Sequence, residues 1–229
     1  MSEPVRSIGF FGDSFCQDVS TPHSVLGGYK TYLQRLSDHW QADIQCVGWG
    51  GSSVWDLVLT QWPQQLNRGL PDVCVMVWTD AHRLYHPLYR NINSSTSQSQ
   101  HTDTHRAARE YYTHLYDRHK HLLEYQALLH HFDCVTLSAY PQQRFIHLWS
   151  FGELHPHTGE RWYPHEWQHG VTITPALETL IAQPYADSEW PQVDPRANHL
   201  ESDTANQWIA EQIIGAVEQY PKHPKRIKG

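Results

Sequence analysis

The sequence predicts an α/β protein: a three-layer α/β/α sandwich around a central, mostly parallel sheet. Three observations carry this. Short, almost wholly apolar runs end at Gly or polar residues, as strands buried on both faces do. Stretches with helical apolar spacing lie between them. The chain has 229 residues, enough for one well-buried core. No internal repeat and no linker divides it, so residues 1–220 are read as one domain and 221–229 as a basic tail.

Ser7–Phe11 (SIGFF) is the first strand, ending at Gly12. Gly27-Gly28 breaks the chain, and Tyr29–Trp40 puts Tyr32, Leu33, Leu36 and Trp40 on one helical face. Asp43–Val47 is a second strand, closed by Gly48. Ser52 or Ser53 caps a helix carrying Leu57, Val58, Trp62 and Leu66, which stops near Gly69. Val73–Trp78 (VCVMVW) is the clearest strand. Ser94–Gln100 is a polar loop. Arg106–Leu137 is helical with a break, its apolar side running through Tyr111, Leu115, Leu122, Tyr125 and Leu129. Phe145–Phe151 is a fourth strand, His155–Gln168 is irregular, and Thr204–Val217 is a final helix with Trp208, Ile209, Ile213 and Val217 inward.

Composition excludes some functions. Lys and Arg total 17 against 24 Asp and Glu, so a basic nucleic-acid surface is not expected. The N-terminus has no basic-then-apolar signal segment and no apolar run is long enough to span a bilayer, so a cytoplasmic protein without membrane contact is expected. Cys16, Cys46, Cys74 and Cys134 form no CxxC pair and read as free thiols. The 10 Trp and 12 Tyr outnumber the 6 Phe, and their polar handles suit a partly wet cleft as well as a core.

Three blocks carry chemistry. Gly12-Asp13-Ser14 follows the first strand, where sites form in open α/β sheets; a Gly at a strand end permits the sharp turn that projects a serine. Gly48-Trp49-Gly50-Gly51-Ser52-Ser53 follows the second, where glycines let N–H groups face developing negative charge. Asp194 and His199 precede the last helix and offer an acid and a base to a nucleophilic serine.

Together the blocks resemble the SGNH, or GDSL-like, hydrolases, in order and in spacing, over most of the chain. The resemblance implies a flavodoxin-like SGNH fold and a serine esterase without cofactor or metal. By it, Ser14 is the nucleophile and one oxyanion donor, Gly51 a second donor, His199 the general base and Asp194 its orienting acid. The third block departs from the family's Gly-x-Asn-Asp: Val77-Trp78-Thr79-Asp80-Ala81-His82-Arg83 puts Thr79 or Asp80 at the Asn position. An ionised Asp80 has no proton to donate, so Thr79, Arg83 or water must substitute. The family's Asp stands three residues before His, where this chain has Arg196, so Asp194 must reach from further away.

The expected substrate is a small-molecule or carbohydrate ester with a short acyl group. Asp13, Trp49, Arg83, Trp149 and Trp167 are the candidate substrate contacts, with Trp162 and Tyr163 as further aromatics. A catalytically weakened domain that binds glycans or a protein is the alternative. A rival motif, His165-Glu166-Trp167-Gln168-His169, matches HExxH of zinc hydrolases, but Pro164 before it and Gly170-Val-Thr-Ile-Thr-Pro after it suit a helix poorly.

Overall fold

The computed structural model describes residues 4–16, 30–86, 92, 102–154, 161–182 and 203–220. A five-stranded sheet lies at its centre, built from β1 (Ser7–Phe11), β2 (Asp43–Cys46), β3 (Val73–Trp78), β4 (Arg144–Trp149) and a short β7 (Val171–Ile173) in the order β2-β1-β3-β4-β7. All four pairings are parallel. A separate antiparallel pair joins β5 (Glu153–Leu154) to β6 (Arg161–Trp162).

The alternation of side chains along each strand divides the core in two. Ile8, Phe10, Val73, Val75, Val77, Ile146 and Leu148 point to one face. There they meet α1 (Tyr32–Trp40) and α6 (Asp203–Glu218), through Tyr32, Leu33, Leu36, Ile209 and Ile213. Phe11, Cys74, Met76, Trp78, Phe145 and Trp149 point to the other face. A helical stretch over 54–66 (α2) and α4 (Arg118–His131) cover that face with Val54, Leu57, Trp62, Tyr125 and Leu129. The three layers predicted from the apolar runs are these.

Local chemistry sets the helix ends. Thr31 and Gln34 form a capping box at α1, and Ser53 forms one with Asp56 at α2. The break expected within Arg106–Leu137 lies between α3 (Asp103–His114) and α4, where Asp117 caps α4 by accepting the Lys120 N–H at 2.9 Å. Leu115 falls in that break and is 74% exposed, so it leaves the apolar side assigned to it. The apolar run after Gly170, read only as an obstacle to a helix, is strand β7, and α5 (Leu177–Ala182) follows it. The loop assigned to residues 94–100 and the tail from 221 lie outside the described residues. No helix among the described residues is long and apolar enough to cross a membrane.

Candidate active site

From β1 the sheet grows outward to β2 on one side and to β3 on the other. The carboxyl ends of β1 and β3 therefore flank the point where strand order reverses, the usual ligand crevice of an open α/β sheet. Ser14 follows β1 there, opening a short 3₁₀ turn, Ser14–Cys16, and is half-buried. No described residue hydrogen-bonds its hydroxyl.

Gly12 is fixed by its surroundings. Its φ is +144°, and a Cβ there would lie 2.3 Å from the Val77 carbonyl oxygen. Only glycine lets the chain leave β1 so close to β3. Gly48 is required by the same closeness, since a Cβ would fall 2.2 Å from Cys16 Sγ and 2.8 Å from Asp13 O. The glycine turn thus packs directly on the turn that carries Ser14. Trp49 N–H donates to Gly12 O and Gly48 N–H to Cys16 O, each at 3.0 Å. Gly50 and Gly51 form the centre of a turn closed by Ser52 N–H to Trp49 O at 3.1 Å.

Asp13 was expected to face substrate. It has no exposed surface, and its carboxylate turns inward. Oδ1 accepts Phe15 N–H at 3.0 Å and the Ser150 hydroxyl at 3.1 Å. Oδ2 accepts the Thr79 hydroxyl at 2.6 Å and lies 3.5 Å from Arg83 Nη1. The carboxylate knots the ends of β1, β3 and β4 together, because Ser150 also donates its N–H to Trp78 O at 2.8 Å.

The same knot holds two further candidate residues, Thr79 and Arg83. Thr79 is buried and its proton is engaged by Asp13, so its hydroxyl does not face an oxyanion. Arg83 is buried against Asp13, Ser52 O at 3.1 Å and the Phe151 ring, so it braces the Asp13 carboxylate while also lining the cavity between Trp55 and Tyr85. Asp80 accepts His82 N–H at 2.8 Å in a tight turn. The Trp149 side chain is 1% exposed in the core, and Trp167 stacks on His147 and Trp78 at 4.0 and 4.5 Å, so both rings serve packing. Tyr163 stacks on Trp149, and Trp162 stands in β6. Trp49 is half-buried beside Gln61 and Arg68. His199 and Asp194 lie outside the described residues.

Sequence reasoning missed Gln61 and Ser150, and read Ser52 only as part of the glycine block and a candidate helix cap. Gln61 stands on the apolar helix α2 and is buried. Its amide oxygen accepts Gly12 N–H at 2.8 Å, and its amide nitrogen donates to Gly12 O at 2.8 Å and to Ser52 Oγ at 3.2 Å. A polar residue within an apolar helical face was the available signal. Cys16 beside Ser14 is no nucleophile: burial first, then the Asp13 charge, pushes its thiol pKa well up.

The HExxH segment is not helical, and its two imidazoles are turned on one carboxylate. His165 Nε2 and His169 Nδ1 each lie 2.9 Å from an Asp133 oxygen, and the Gln168 and His169 N–H groups donate to the same carboxylate. Burial alone would raise the Asp133 pKa, but the bonds from His165, Gln168 and His169 outweigh it and hold it at about 2. His165 and His169 are therefore clamps for a loop, not a pair presented to zinc. Among the described residues no group of His, Cys, Asp and Glu is arranged to hold a metal.

A cavity of about 220 Å³ opens beside the second and third blocks, lined among others by Val54, Trp55, Ala81, Tyr85, His121 and Glu124. Trp55 and Tyr85 are 38% and 37% exposed, so accessible rings near the blocks include two that sequence reading did not select, besides half-buried Trp49.

No protein-family model matches the chain, and no curated protein does. Among solved structures, the crystal structure of an acetyl xylan esterase, AlAXEase, matches over 92% of this chain and 99% of that one, at 16% identity and a TM-score of 0.46.

Proposed function

We propose that the protein is a serine hydrolase of carboxylic esters, of the SGNH kind, with Ser14 as nucleophile. The observation that carries the reading is the packing of the glycine turn on the nucleophile turn at the switch point of the sheet, through Trp49 N–H to Gly12 O and Gly48 N–H to Cys16 O. That packing puts a half-buried serine beside a turn of backbone amides, the two parts acyl transfer needs in one place.

In this reading His199 takes the Ser14 proton as Ser14 Oγ attacks the ester carbonyl, and Asp194 orients the imidazole. The Ser14 and Gly51 N–H groups stabilise the oxyanion. The alcohol leaves with the proton from His199, and a water activated by His199 then releases the acid. The alcohol part lies in the cavity between Trp55 and Tyr85, whose exposed faces suit a carbohydrate or another flat, partly polar group. At the Asn position the third block offers no free side-chain donor, since Thr79 is engaged by Asp13 and Asp80 is an acceptor. Losing one such donor lowers turnover by roughly 10²–10³, so slow hydrolysis is expected.

The same observation favours one second reading, a domain that binds an ester or glycan without turning it over. Hydrolysis of p-nitrophenyl acetate, longer p-nitrophenyl esters and an acetylated sugar separates the two. The hydrolase reading expects turnover that Ser14→Ala abolishes; wild type and Ser14→Ala at the same background rate leave only the binding domain.

A further inference from the structure

Helix α2 is wound irregularly where it passes the nucleophile turn. Over Leu57–Gln61 it widens to a π turn, and the Trp62 N–H donates to Leu57 O, five residues back. One extra residue in a turn rotates the face presented by about 100°. Gln61 ends that turn and is 6% exposed.

We propose that Gln61 is a positioning residue for Ser14. The last pairing of β1 with β3 is Phe11 with Met76, so Gly12 lies beyond the ladder. The Gln61 amide replaces a strand there. It accepts the N–H and donates to the C=O of the same residue, at 2.8 Å each, and so fixes the peptide planes on both sides of the Gly12 Cα. A glycine at φ +144° has little stiffness of its own, and Ser14 stands two residues on. The second amide proton holds Ser52 Oγ at 3.2 Å, next to Gly51. One side chain, from a helix outside all three sequence blocks, thus sets the nucleophile turn and the glycine turn relative to each other. Only a planar group with one acceptor and one donor fits. An ionised Glu would turn an oxygen on Gly12 O, whereas a protonated Glu would restore both bonds.

The proposal rests on the reading of Ser14 as nucleophile. The test uses the full chain, with Gln61→Leu and Gln61→Glu compared to wild type on p-nitrophenyl acetate, kcat and KM resolved, from pH 5 to 8. Gln61→Leu is expected to lower kcat roughly 10–100-fold with KM within about twofold. The Gln61→Glu to wild-type ratio of kcat is expected to rise as pH falls, because protonation of the new carboxyl rebuilds the clasp. A purely structural loss gives no such pH-dependent rescue. Gln61→Leu at wild-type kcat overturns the proposal. Should Gln61→Leu fail to fold, a flat Gln61→Glu ratio across the pH range overturns it as well. If wild type shows no hydrolysis beyond Ser14→Ala, the esterase reading itself has failed and the proposal falls with it, an outcome distinct from an active enzyme indifferent to Gln61.

Discussion

Asp13 and Ser14 are neighbours with opposite orientations. Ser14 is half-buried at the crevice, while the Asp13 carboxylate is sealed below it by Phe15, Ser150, Thr79 and Arg83. Every one of those partners is a donor, and a buried carboxylate is stable only while its donors are present. Asp13→Asn turns an NH₂ group onto two of them and leaves the Arg83 charge without its counter-ion. A loss of about 3 kcal/mol or more is expected, read by urea denaturation; a variant as stable as wild type contradicts the cage. The residue types at positions 12 to 14 mark a candidate site in the sequence, but their directions were not legible there. Which way Asp13 points is decided by Thr79, Arg83 and Ser150, which are 66 to 137 positions away. Gln61 was hidden for the same reason, since its partner Gly12 is 49 positions away.

At the scale of elements, local pattern predicted well where local forces decide. β1 and β3 have the boundaries read from their apolar runs, and Ser53 caps α2 as one of two candidates. The short β7 escaped because three residues give little period, and it exists through pairing with β4. The HExxH segment shows the same limit, because its meaning depends on Asp133, 32 and 36 positions from the two histidines. If Asp133 clamps that loop to the end of α4, Asp133→Asn lowers stability by about 3 kcal/mol, while a chelator changes neither melting temperature nor hydrolysis. Stoichiometric zinc in the purified protein, with melting temperature falling on chelation, contradicts the clamp.

For the whole molecule, buried histidine chemistry sets a response to acid. His147 is neutral with its proton on Nε2: the Trp78 indole N–H can only donate, so Nδ1 accepts it at 3.1 Å, and Nε2 bonds His169 O at 2.8 Å. Burial is the main cause that lowers its pKa from 6.5 to about 3. The unfolded chain takes up that proton first, so this stability is complete above about pH 6.5 and is lost as pH falls toward 3. Asp133 extends the loss between 3.8 and about 2. Denaturation midpoints from pH 8 to 4 should fall, and His147→Gln should fall less steeply; parallel curves contradict the assignment. The two-faced sheet, its helices and its glycine turns were legible in apolar spacing, while the cross-braces between them were not, being single polar contacts between distant positions. The central claim concerns Ser14 in that frame. Its most direct test is reaction with a fluorophosphonate probe followed by peptide mapping. The account predicts one label, on Ser14, absent in Ser14→Ala. An unlabelled wild type, or a label on another residue that persists in Ser14→Ala, contradicts it.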